Sequence, residues 1–449
     1  MIFNYLRFCI ILFFSIVPYS MLGQVLEIDL PETNGMSSER LSNISTVFSD
    51  YVDDGKLPGV VVLAARNGKI VYHQAIGMCD IEQKTPMQKD NIFRIASQTK
   101  AIVSVGIMML QEEGKILLSD TLSKYIPEFE HTNVALALSK QRKKGNMNAH
   151  RIVKAKRQIR IRDLMTHTSG IGYGYGPAKK KWEKAGIQGW YFAHRGEPIL
   201  ETVKRMAKLP MDAHPGERYV YGYSTDILGA LIEVISGQPL NVFLKERIFD
   251  PLGMVDTHFY LPQTKASRLS VVYSQCDNKL LRAAEDGAPQ FEWDDKEKCT
   301  GNNQTQGQYL NGPRVSFSGG AGLLSTSMDY AIFLQMMLNN GVYDGTRILS
   351  RKSVELMTDN HLDGDHYKDV KFPWDWGVGF GLGFSVTTDA GDRGVLGSLN
   401  EYGWGGAYHS SYWVDPNEKL VVVYFTQVTP IILDDHQKLR NLIYQSIVD

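Results

Sequence analysis

The chain has little cysteine, almost no net charge and only one long apolar run, and each shortage removes a class of protein. Four Cys in 449 residues are too few for a disulfide scaffold, and no CxxC spacing offers a structural zinc site. Forty-eight Lys+Arg against 49 Asp+Glu leave a formal charge of −1, so no whole-protein field draws in nucleic acid. At 43% hydrophobic residues the chain is too apolar to be disordered. Outside the N-terminus no stretch approaches the ~18 consecutive apolar residues of a spanning helix. The length suits roughly three domains of ~150 residues, or one large α/β enzyme.

Residues 1–23 stand apart. Arg7 is their only charge, Phe8 to Val17 is an apolar run interrupted only by Ser15, Pro18 ends it, and Ser20-Met21-Leu22-Gly23 supplies small residues before Gln24. This is the layout of a secretory signal, with a core too short to span a bilayer comfortably; the alternative is an uncleaved anchor. The mature protein, about 426 residues over 24–449, is expected to be exported to the periplasm or the medium of a bacterium. Export removes Cys9 and leaves Cys79, Cys276 and Cys299. Cys276 and Cys299 bracket a polar segment and are either bridged or free, while Cys79 reads as a buried apolar filler.

Val60–Ala65 and Ile70–Ala75 form two β-rich runs around the turn Arg66-Asn67-Gly68-Lys69, a hairpin signal. A helix is predicted from Ser97 to Glu113, stopped by Gly114 and apolar on most faces, hence buried. A second runs from Leu228 to Ile235 before Gly237. Strands return at Tyr412–Val414 and Leu420–Phe425, and an amphipathic helix closes the chain at Asp435–Ile447. This order implies an α+β fold: an antiparallel sheet from both chain ends (about 40–120 and 310–449), flanked by helices, with a mostly helical and loop region (about 121–309) inserted.

Two charged segments stand out. Residues 140–162 hold ten Lys/Arg (Lys140, Arg142, Lys143, Lys144, Arg151, Lys154, Lys156, Arg157, Arg160, Arg162) and no acid, whereas residues 285–297 are acidic (Glu285, Asp286, Glu292, Asp294, Asp295, Glu297). They are either solvated loops or, for the basic one, a contact for an anionic polymer such as a sulfated or uronic glycan. No aromatic residue interleaves the basic run, which argues against single-stranded nucleic acid.

Ser97-Gln98-Thr99-Lys100 opens the buried helix. A spacing of three puts Ser97 and Lys100 on one helix face within hydrogen-bonding reach, at the positive end of the helix dipole. A desolvated Lys there can lose its proton and activate the hydroxyl without a His. Alone the pattern is common, and a helix cap beside a surface Lys would give it too.

Further segments add to it: Ile161-Arg162-Asp163-Leu164-Met165-Thr166-His167-Thr168-Ser169-Gly170, Pro215-Gly216-Glu217-Arg218-Tyr219-Val220-Tyr221, Phe249-Asp250-Pro251-Leu252-Gly253-Met254, Ser318-Gly319-Gly320-Ala321-Gly322 and Trp404-Gly405-Gly406. With Ser97 and Lys100, these resemble the serine β-lactamase and penicillin-binding-protein superfamily, in its class C-like, esterase-type branch, over roughly 40–445. The resemblance implies a two-step acyl transfer in which Ser97 attacks a carbonyl while Lys100 and Tyr221 share the acid and base work. It also implies an oxyanion hole from the backbone N–H groups of Ser97 and Ala407, and neither metal nor cofactor. Two tyrosines compete for the second motif; Tyr221 keeps the family spacing from Pro215 and Gly229, and Tyr223 becomes a substrate-pocket candidate where relatives carry Asn. His409, where relatives carry Gly, is either a residue at the site mouth or a surface His, and His167 reads as structural in a turn.

Trp404-Gly405-Gly406 stands where the resemblance places K-T-G in lactamases. Trp has an apolar face and one N–H donor, so the cation that would anchor a substrate carboxylate is lost. The reading favoured is therefore an exported serine esterase or related acyl hydrolase acting on a small-molecule or glycan-linked acyl substrate. Its rivals are a β-lactamase or D,D-peptidase, and a catalytically silent envelope- or glycan-binding protein.

Overall fold

Asn67 and Gly68 both adopt left-handed backbone, with φ of 55° and 74°, the geometry that a two-residue hairpin turn demands and that Asn-Gly tolerates best. Around them β2 (Gly59–Arg66) pairs with β3 (Lys69–Asp80) in the computed structural model of the chain, which describes residues 25–138, 149–276, 279–285, 305–362, 377–429 and 433–449. On its other edge β2 pairs antiparallel with β9 (Leu420–Phe425), Val61 opposite Phe425 and Arg66 opposite Leu420, so the two chain ends meet in mid-sheet.

The remaining strands of this sheet are β1 (Glu27–Ile28), β4 (Thr85–Pro86), β5 (Val378–Phe380), β6 (Ser385–Thr387), β7 (Tyr402–Gly406) and β8 (Ser410–Asp415). The order is β1-β3-β2-β9-β8-β7-β6-β5, with β4 beside β3. The expected antiparallel sheet is present, with one difference: β1 joins β3 in parallel, Glu27 beside Lys69.

The central strands are apolar at consecutive positions because both faces are covered. Val61, Leu63 and Ala65 of β2 and Val421, Val423 and Phe425 of β9 point into one core layer. Their neighbours Val60, Val62, Ala64, Leu420, Val422 and Tyr424 point into the other, as a period of two requires. Helices α1 (Ser38–Asp53) and α5 (Asp435–Tyr444) cover the second face through Leu41, Ile44, Phe48, Leu439 and Ile443. On the first face lie α2 (Thr99–Glu112) and α4 (Ser327–Leu338). Each fully buried Val or Leu there contributes ~1.5–3 kcal/mol.

Helix α2 is buried from Thr99 to Leu110, as its all-round apolar sequence predicts, and Gly114 with φ of 70° ends it. Helix α3 (Ser224–Ser236) packs on α2 from the inserted region and stops at the left-handed Gly237. That region also carries two hairpins, Asn133–Ala137 with His150–Lys154 and Tyr273–Cys276 with Lys279–Arg282, which periodicity alone does not show. Among the described residues no single helix is long and apolar enough to cross a membrane.

Candidate active site

Ser97 sits in a 3-10 turn, Ala96–Gln98, that feeds directly into α2. The turn is reached through Ala96 in left-handed backbone, φ of 43°, a conformation that costs an L-residue about 1–2 kcal/mol. One turn on, Lys100 is 1% exposed. Its Nζ donates to Gly320 O at 2.6 Å, Ser97 Oγ at 3.1 Å and Tyr173 Oη at 3.2 Å. Three acceptors match the three protons of an ammonium. With one proton gone, the amine lone pair can accept the Ser97 O–H while two donors remain bonded, so proton exchange leaves no group stranded.

Tyr221 comes to this corner because Val220 N donates to His167 O at 2.7 Å, tying its segment to the Ile161–Gly170 stretch. Its ring centroid lies 4.7 Å from Lys100 Nζ, and its hydroxyl accepts a hydrogen bond from Trp404 Nε1 at 3.1 Å. Trp404 lies on β7, and the strand passes so close to the Ser97 turn that a Cβ on Gly406 would meet Ile95 O at 2.6 Å. Only glycine permits that approach. It brings β7 against the Ser97 turn, with Ala407 next along the chain in the turn closed by His409 N on Gly406 O at 3.0 Å.

Burial, and after it the Lys100 charge, pushes the His167 imidazole well below its ordinary range, so it stays neutral. Its ring lies 4.7 Å from that of Tyr221. Asp226 lies behind Gly320: its Oδ1 accepts from Ser318 Oγ at 2.6 Å and Gly320 N at 3.1 Å. Burial raises this carboxyl, opposed by the Ser318 bond and by Lys100.

The sequence reading missed Tyr173. It enters from Gly172-Tyr173-Gly174-Tyr175-Gly176, and burial, then Tyr221 and Asp226, raises its phenol well above the usual range. The signal was there in a Tyr flanked by glycines just beyond Ser169-Gly170. Tyr223 faces away from Ser97: it is 0% exposed, donates to Gly189 O at 2.6 Å and stacks on Trp182. Two residues from Tyr221 at the start of α3, it turns into the core rather than into a substrate pocket. His409 is not a free surface residue: its side chain is 13% exposed, and its Nε2 lies 2.9 Å from both carboxylate oxygens of Asp435.

Within residues 140–162, Arg157 makes a two-pronged ion pair with Asp163 at 2.6 and 2.9 Å, and Arg162 meets His361 Nδ1 at 3.3 Å. Arg151, Lys154 and Arg160 are exposed, while Lys140, Arg142, Lys143 and Lys144 lie outside the described residues. So do the acidic residues from Asp286 on, Cys299, the Cys276 side chain and residues 1–23. Cys79 is buried and free.

Comparison with known proteins places this arrangement. The beta-lactamase family profile matches residues 44–443. An uncharacterised protein of Mycobacterium tuberculosis is 33% identical over 390 residues, 85% of this chain and 88% of that protein. Esterase EstB of Burkholderia gladioli is 27% identical over 388 residues, 86% of this chain and 90% of that protein. Among solved structures, EstCE1, a hydrolase with promiscuous acyltransferase activity, superposes with a TM-score of 0.74 at 26% identity, covering 91% of this chain and 98% of that one.

Proposed function

This chain belongs to the beta-lactamase family, and from that premise we propose that it is an exported serine hydrolase that cleaves neutral carboxylic esters through an acyl-enzyme. The observation that carries the ester reading is the Trp404 indole N–H on Tyr221 Oη at 3.1 Å. A neutral aromatic donor serves the tyrosine where a substrate carboxylate would need a cation. The likeness to an esterase and to an acyl-transferring hydrolase supports the same reading, and the signal-like residues 1–23 support export.

In the proposed reaction Ser97 Oγ attacks the ester carbonyl and its proton passes to the Lys100–Tyr221 pair. The C–O⁻ of the tetrahedral intermediate is held by the N–H groups of Ser97 and Ala407. Collapse expels the alcohol, which takes a proton relayed through Lys100 and Tyr221, and leaves the acyl group on Ser97. Water then adds to the acyl carbon, giving its proton to the same pair, and Ser97 regains its hydrogen as the acid departs. The Trp404 N–H stabilises charge on the Tyr221 oxygen whenever that oxygen acts as base.

Purified mature protein assayed side by side on short-chain nitrophenyl esters and a chromogenic cephalosporin tests this. Turnover of the esters, fluorophosphonate labelling at Ser97 and loss of both in Ser97→Ala are the expected results. Hydrolysis of the cephalosporin alone points instead to a lactamase or peptidase, and absence of labelling points to a silent binding protein. Mass spectrometry of protein recovered outside the cytoplasm checks export, with cleavage after Gly23 as the expected result.

A further inference from the structure

The turn between β7 and β8 ends on His409 in left-handed backbone, φ of 63°, and runs against the first turn of α5. Three metal-ligating side chains meet there. Asp435 has 0% side-chain exposure and His409 13%. The carboxylate lies between the His409 Nε2, 2.9 Å from each oxygen, and Tyr424, whose hydroxyl donates to Oδ2 at 2.7 Å. His436 stacks on His409 with ring centroids 4.3 Å apart and planes 18° apart. One ligand atom from each of His409, Asp435 and His436 lies within 4.8 Å of the others.

An ion pair would need only one imidazole. The second, laid flat on the first beside the same buried carboxylate, adds repulsion if both are protonated and gives nothing to the pair. Two imidazoles and a carboxylate are, however, what a zinc-type cation takes. The supporting contacts fit as well. His436 Nε2 donates to His409 O at 3.2 Å, which leaves Nδ1 with the lone pair, and Tyr424 orients the carboxylate; ligands of bound metals are commonly fixed in this way.

We propose that His409, Asp435 and His436 form a site for a divalent transition-metal ion that ties the turn carrying Ala407 to the start of α5. The ion replaces the proton shared between His409 Nε2 and Asp435, and that proton leaves to solvent as His409 binds. Bonds of ~2.0–2.2 Å set ligand atoms about 3.3–3.5 Å apart, so closing the cluster asks for shifts on the order of 1 Å. Water completes the coordination through the exposed edge of His409. The site stands on its own geometry; only its consequence for Ala407 rests on the esterase reading.

The test uses full mature protein without a polyhistidine tag, stripped with chelator and titrated with Co(II). Expected are visible d–d absorption saturating at one ion per chain, its displacement by Zn(II), and a Tm rise of about 2 °C or more. His409→Gln and His436→Gln should each weaken binding at least ~10-fold. No stoichiometric absorption, or equal binding by both variants, overturns the proposal. Ester turnover is read on the same samples: Co(II) binding without turnover sinks the esterase reading and leaves the metal site standing, and turnover without binding does the reverse.

Discussion

Two buried cations show how differently this fold treats positive charge. Arg440 on α5 is clamped to Glu401 by two hydrogen bonds of 2.6 Å and lies with its guanidinium 4.6 Å from the centre of the Trp413 ring. Glu401 also pairs with Arg393 at 2.7 Å and accepts from Tyr444 at 2.7 Å. Burial alone would raise the Glu401 carboxyl, yet the Arg440 bonds and charge hold it below the usual carboxylate range. Lys100, just as buried, meets only neutral oxygens, and among the described residues no carboxylate lies within ion-pair distance. A matched guanidinium has nowhere to send a proton. An amine among two hydroxyls and a carbonyl can give one up and keep its hydrogen bonds, so the first arrangement serves stability and the second chemistry.

The contrast can be broken most sharply at Lys100. Lys100→Met should lower kcat/KM for nitrophenyl esters by about 10³-fold or more while Tm stays level or rises, because a buried amine gives way to an apolar chain of similar length. Arg440→Met should do the opposite. Taking away one of the two cations on buried Glu401, with Arg393 and Tyr444 still bonded to it, costs about 2–3 kcal/mol in urea unfolding, with kcat per folded molecule unchanged. If Arg440→Met were as stable as wild type, the division of labour between the two cations would fail.

Smaller changes sharpen the picture. Trp404→Phe keeps the aromatic wall and removes the N–H on Tyr221, for an expected drop of roughly 10-fold in kcat at little cost in KM. Asp212→Asn probes a third kind of buried charge, a carboxyl beside Gly172 and Gly176 of the Tyr173 loop. Burial, offset in part by Arg218, raises it from 3.8 to about 6. The folded state therefore holds a proton that the unfolded state has lost between those values, and stability falls as pH rises through that window. The Asn variant should be more stable than wild type at pH 8 by about 2–3 kcal/mol, with the gain vanishing below pH ~4. Melts at both pH values check it.

Much of this was legible in the chain. The Asn67-Gly68 turn, the strands of the two termini and the stop of α2 at Gly114 are local events, set by backbone preference and by apolar period. Ser97 and Lys100 were legible for the same reason, since one helical turn joins them. Tyr221 could be told from Tyr223 only by counting from Pro215 and Gly229; the structure confirms that the two side chains part, one toward Lys100 and one into the core. The role of Tyr173 was not legible, because its contact with Lys100 spans 73 positions: the flanking glycines mark the segment but do not name the partner. The partners of His409 were hidden for a related cause: they are supplied by α5, a different part of the chain.

By itself the sequence determined the β2–β3 hairpin, the strand β9, the helix α2 and the spacing that puts a serine and a lysine on one buried helical face, because each depends on residues within a turn or two of each other. Tertiary structure alone decided which neutral oxygens surround Lys100, that Trp404 serves Tyr221, and that His409 answers to Asp435 and His436. Those contacts are made between segments far apart in the chain. They arise only when sheet pairing and core packing bring β7, α2, α5 and the Gly172–Gly176 loop to fixed distances.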